Sequence, residues 1–161
     1  MSTSIALPKA IIEELVRRAS KAGTSVMEYL LDLLMQSMDP GTGARRYLEV
    51  AKQLLEEARQ ELEEGDLRQA SEKIWGACAL AIKAHALAKR GLRLESHRDL
   101  WVYKNEVAKE LGSWVRIVFK LADSMHRNFY EGLATREDVE DALREVERLV
   151  NAVDQALREK L

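Results

Sequence analysis

Cysteine is almost absent from this chain, and Cys78 stands alone. One thiol excludes a disulfide framework and any cysteine-based zinc site. Its surroundings, "WGACALAIKA", form an apolar helical run, so Cys78 is expected as a buried packing group. Proline and glycine are also scarce, at two and eight residues of 161. With Ala, Leu, Glu and Arg abundant, that scarcity points to a nearly all-helical protein. Neither sign of charge dominates: 25 Lys and Arg face 27 Asp and Glu. A net charge of -2 sets up no global field to attract nucleic acid. No apolar run reaches the roughly 18 residues of a membrane span. The N-terminus lacks the basic start and long apolar region of a signal peptide, so a cytoplasmic location with no membrane partner is expected. Few asparagines and many alternating charges fit a thermophile. There is no glycine-rich phosphate loop, and no Ser-His-Asp or Cys-His arrangement.

What is present divides into residues 1–38 and 44–161. In the first, "TSIAL" alternates polar and apolar side chains as a short strand does. Pro8 suits the first turn of a helix, whose apolar stripe is Ile11, Ile12, Leu15, Val16 and Ala19. Gly23 supplies a left-handed stop. Ser25 is expected to cap a second helix, with Glu28 completing a capping box. "DPGTG", residues 39–43, reads as the linker. This strand-helix-helix arm resembles a ribbon-helix-helix module. The resemblance implies dimerisation through the strand, with Thr3 as a base-reading residue and Ser25 as a phosphate contact. Four basic residues (Lys9, Arg17, Arg18, Lys21) face five acidic ones up to the linker's first residue (Glu13, Glu14, Glu28, Asp32, Asp39), which disfavours DNA. A dimerising or docking arm is the preferred expectation.

Residues 44–161 read as about five amphipathic helices in an up-and-down bundle, so the fold class is all-α. Tyr47, Leu48, Ala51, Leu54, Leu55, Ala58 and Leu62 recur at helical spacing before Gly65. Asp66 starts the next helix and Gly91 stops it. Ser96 with Asp99 opens another, Gly112 and Ser113 form a break, and Thr135 with Asp138 opens the last.

Within this part, "EA" then "GD" between the first two helices, "QASEK" opening the second and "SH..L" opening the third are similar to a HEPN domain. "HRNFYEG" makes the chain most similar to the archaeal PaREP-type branch, over residues 45 to 155. That resemblance implies a helical bundle, often dimeric, whose relatives include RNA-cleaving toxins and partners of small nucleotidyltransferases. The nuclease relatives carry an Arg, a polar residue and about three more residues before a His. Arg127 and Asn128 match the first two positions, but Gly132 stands where the His falls. "RGLRLESH" puts Arg90 and Arg93 ahead of His97, in a different interhelical loop. A His is the natural acid or base near neutral pH, so the family mechanism does not carry over.

Helical spacing also gathers polar side chains. Asp123, His126, Arg127 and Tyr130 share one helix face. Glu72 and Lys83 lie about three turns apart on one face, and His97 and Trp101 are i, i+4. If these faces converge, Glu72, Lys83, His97, Trp101, His126 and Tyr130 form a ligand site, with rings to stack a base and cations for phosphate. Otherwise they are helix-end polar packing. Asp123 and His126 make one Asp-x-x-His pair with no matching pair elsewhere, so no metal and no cofactor is expected. His85 is expected to be packed or solvated. The expected function is therefore a non-catalytic module that forms a homodimer or higher oligomer and binds a nucleotide, RNA or protein partner. The alternatives are a ribonuclease using Arg127 and Asn128 with His126 or His97 as base, and a DNA-binding regulator using the arm.

Overall fold

In the computed structural model, which describes residues 3–159, every regular element is a helix. The seven are α1 (Lys9–Ala22), α2 (Val26–Met35), α3 (Pro40–Glu64), α4 (Leu67–Arg90), α5 (His97–Leu111), α6 (Trp114–Glu131) and α7 (Arg136–Arg158).

Local cap chemistry sets most of the boundaries. Asp66 accepts from the Gln69 amide at the start of α4. Ser96 with Asp99 and Thr135 with Asp138 form reciprocal capping boxes on α5 and α7. The α3 and α4 helices pack side by side after the Gly65–Asp66 turn, and α4 also packs on α5, α6 and α7. It is the axis of the bundle, buried on most of its circumference. Its many alanines let the other helices approach closely. Cys78 is free and buried there, as its apolar context requires.

Three local expectations are corrected. Thr3–Leu7 is no strand: the segment is exposed, and among the described residues no chain pairs with it. Alternation favours a strand only where a partner supplies the ladder bonds. The "DPGTG" linker is the opening turn of α3, with Asp39 as N-cap accepting from Thr42 N at 3.0 Å and Pro40 in the first turn. Proline, which would end a helix, here begins one.

The third correction concerns Glu28. Ser25 does cap α2 by accepting from Glu28 N at 3.1 Å, but Glu28 does not return the bond to complete a capping box. Its side chain is buried instead, 3.2 Å from Lys83 Nζ. The same ammonium lies 2.7 Å from Asp32 Oδ2, and Tyr47 donates to Asp32 Oδ1 at 2.7 Å. Leu31 and Met35 enter the same hydrophobic core as α3 to α7. Thus α2 belongs to the helical body, which exceeds the expected five or so helices. Arg93 closes its end by donating to the Met35 and Met38 carbonyls. By contrast, α1 buries only Ala19 and leaves Ile11, Ile12 and Val16 exposed.

Candidate functional site

The α4, α5 and α6 helices meet around the ring of Trp75, which is 3% exposed. Glu72 lies one turn before it on α4, His97 begins α5, and Asp123 and His126 lie one turn apart on α6. The Trp75 ring centroid is 5.3 Å from that of His97 and 5.6 Å from that of His126. The two imidazoles are 6.0 Å apart. Tyr130 meets His126 edge-on at 5.7 Å and is mostly exposed.

Each imidazole has its own carboxylate. His126 Nδ1 lies 3.0 Å from Glu72 Oε2. That hydrogen bond raises the His126 pKa above its ordinary value; burial opposes the shift and the Glu72 charge reinforces it. His97 Nε2 lies 3.2 Å from Asp123 Oδ1 and also 2.9 Å from Trp101 Nε1. The indole N–H only donates, so the imidazole nitrogen accepts from Trp101 or, when protonated, donates to Asp123. These contacts are alternatives chosen by the position of one proton. Trp101 is held from below by Lys104, whose ammonium lies 4.4 Å from its ring centroid and donates to its carbonyl. Burial lowers the Lys104 pKa. At the rim, Arg127 is 70% exposed and 3.5 Å from Asp123 Oδ2.

Of the six residues expected to share a ligand site, Glu72, His97, Trp101, His126 and Tyr130 gather here. Lys83 does not. It is 1% exposed and committed to Glu28 and Asp32, so its place three turns along α4 leads into the core. The Asp-x-x-His pair is also divided, since Asp123 serves His97 while His126 serves Glu72. Among the described residues no three His, Cys, Asp or Glu side chains are grouped to hold a metal ion.

Asn128 turns inward, away from Arg127. Its Nδ2 donates to Ser71 Oγ at 2.9 Å, and its Oδ1 accepts from Ala134 N at 2.7 Å, closing the α6–α7 turn. That is a structural position. Gly132 has φ +66°, and a Cβ built there would lie 2.5 Å from Arg68 Nη2. A side chain there would have to displace the end of the exposed Arg68 side chain and adopt the positive φ. Arg90 pairs with Glu106 and His85 bridges Tyr103 and Glu110, so both are accounted for. Thr3 and Ser25 line a cleft of about 520 Å³ whose charged walls are Glu28, Glu57, Glu72 and Lys73. Those surroundings repel a phosphate backbone.

Trp75 and Lys104 were not among the expected site residues. Trp75 follows Glu72 by three positions, which puts both on one helix face, and that signal could have found it. Lys104 follows Trp101 by the same interval.

The "SH", "QASEK" and "HRNFYEG" segments thus meet at one place in the fold. A family model of the archaeal PaREP1/PaREP8 family matches residues 46–150, more than half of the chain and the whole of this site. The chain belongs to the archaeal PaREP1/PaREP8 family. No curated protein matches. The PaREP bundle is also similar to a crystal structure of a protein from Sulfolobus solfataricus, with 25% identity and a TM-score of 0.61 over 67% of this chain and 96% of that one. No helix among the described PaREP residues is long and apolar enough to cross a membrane.

Proposed function

We propose that this PaREP protein is a HEPN-like, non-catalytic module that dimerises and binds a nucleotide or an RNA strand on the His97–His126–Tyr130 face. The convergence of His97, His126, Tyr130 and Arg127 on one partly open surface carries this reading. Aromatic and imidazole faces stack on unpaired bases, and an exposed guanidinium meets phosphate. Asn128 and Gly132 support the non-catalytic part, since one is tied into a turn and the other stands at the motif histidine's position with a positive φ that favours glycine. Dimerisation is supported by the exposed apolar stripe of α1 and the unpaired segment before it, in keeping with a ribbon-helix-helix-like arm.

Anisotropy titrations with a labelled single-stranded RNA, run beside thermal melts, test the site. His126→Ala and Tyr130→Ala are expected to weaken binding about tenfold or more, the loss of a stacking or charged contact. The exposed Tyr130 variant should keep the parental Tm. Equal affinities in parent and variants, or a loss that only tracks unfolding, would refute the site. A ribonuclease is the second reading, favoured by the two imidazoles each backed by a carboxylate. Cleavage abolished by both His97→Ala and His126→Ala would make it the better one.

A further inference from the structure

Between α1, α2 and Glu95, just before α5, lies an open cavity of about 410 Å³. Arg17, Arg18 and Lys21 from the last turns of α1 share its walls with Thr24, Tyr29 and Gln36. Arg17 grips the Glu14 carboxylate through Nε at 3.0 Å and Nη2 at 2.6 Å, and Arg18 Nε reaches the same group at 2.8 Å. Two guanidinium groups therefore already converge on one oxyanion. Among the described residues Thr24 Oγ1 is buried with no hydrogen-bond partner, and a buried hydroxyl without one costs stability. The helix dipole explains why cations suit the last turn of α1, but not why three of them line one cavity with Thr24. Two carboxylates also line the space. Asp32 is taken by Lys83 and Tyr47, while Glu95 leads into α5.

We infer that this cavity binds the phosphate of a small nucleoside phosphate: Arg17 and Arg18 take its oxygens in place of Glu14, Lys21 adds charge and the Thr24 hydroxyl donates. This rests on the nucleotide-binding reading above and extends it to a second subsite. The link is the turn itself. A Cβ built on Gly23 would lie 3.5 Å from His97 Cβ, so the cavity and the histidine face share one wall.

Calorimetric titration of the full-length protein with inorganic phosphate and with AMP tests the inference. Saturable binding of both is expected, with AMP the tighter. Lys21→Ala and Thr24→Val should each weaken phosphate binding about tenfold, the effect of removing one charge-assisted or buried hydrogen bond. His126→Ala should weaken AMP binding more than it weakens binding of inorganic phosphate. Absence of saturable binding, or parental affinity in both cavity variants, would overturn the inference. Phosphate affinity lost in His126→Ala but kept in Lys21→Ala would place the phosphate at the histidines, ending this inference and sparing the proposed function. The reverse, AMP insensitive to His126→Ala and sensitive to Lys21→Ala, would keep the cavity and remove the histidine site.

Discussion

Replacing Lys83 with methionine would remove the ammonium that ties α2 to the bundle while keeping most of the side-chain volume. Its side chain is 1% exposed, with Nζ 2.7 Å from Asp32 and 3.2 Å from Glu28. The loss leaves two carboxylates without their countercharge. Breaking a buried ion pair in this way costs about 3–5 kcal/mol at neutral pH. For a chain of this length that is a fall in Tm of roughly 6–20 °C. The apolar character of the introduced methionine recovers little of it, because the carboxylates rather than the cavity dominate the cost.

The pH dependence gives the sharper test. Burial raises the Glu28 pKa even with Lys83 beside it, and the Lys83 attraction only partly restrains the shift. A carboxyl raised in the fold contributes stability below its unfolded pKa and loses it as pH rises through the folded value. Without Lys83 the Glu28 pKa rises further, so protonation relieves the variant at mildly acidic pH. Urea denaturation at pH 5 and pH 8 should show a smaller deficit at pH 5, and adding Glu28→Gln should recover part of the deficit at pH 8. A Lys83→Met protein within about 1 kcal/mol of the parent at pH 8 would refute this account of the cluster, since breaking such a pair is expected to cost several times more. So would a deficit independent of pH.

Asn128→Ala removes bonds to Ser71 and Ala134 and should cost about 1–3 kcal/mol, read by urea denaturation. Gly132→His, which rebuilds the nuclease spacing, should destabilise by about 1–3 kcal/mol through its positive φ, besides the crowding of Arg68, and yield no RNA cleavage in a gel assay. Stability or activity gained there would be a clear failure. Glu72→Gln should lower the His126 pKa followed by NMR. The raised His126 pKa stabilises below the ordinary histidine range, and that stability is lost as pH rises through the folded value, so the variant should flatten this pH dependence. Ile11→Asp with Val16→Asp should shift the sedimentation coefficient to that of a monomer; an unchanged dimer would remove α1 from the interface.

Elements whose ends depend on neighbouring residues are legible in the sequence. The Gly65–Asp66 turn, the Ser96–Asp99 and Thr135–Asp138 boxes and the stop at Gly91 all work within a few residues, and all stand in the fold. Long-range competition is not legible. Glu28 sits at the capping-box position, yet Lys83, far along the chain, draws it into the core. The "TSIAL" pattern describes half of a ladder and says nothing about the other half. At the candidate site, i, i+3 and i, i+4 spacing groups the right side chains within each helix. Spacing alone does not state how helices are rotated against one another or which neighbour covers each stretch of α4, so it assigns Lys83, three turns from Glu72, to the site.

That rotation has a consequence for α4. Glu72 and Trp75 near its start face the histidines, whereas Lys83 further on faces α2 and His85 faces α5. One rigid rod thus indexes two distant constellations like a keyed shaft. Inserting or deleting a single residue between Trp75 and Lys83 turns one end by about 100° against the other. Such a change cannot be absorbed at a loop, because the whole intervening segment is encased by neighbours. Descendants of this chain are therefore free to vary the lengths of their turns but not the length of this helix.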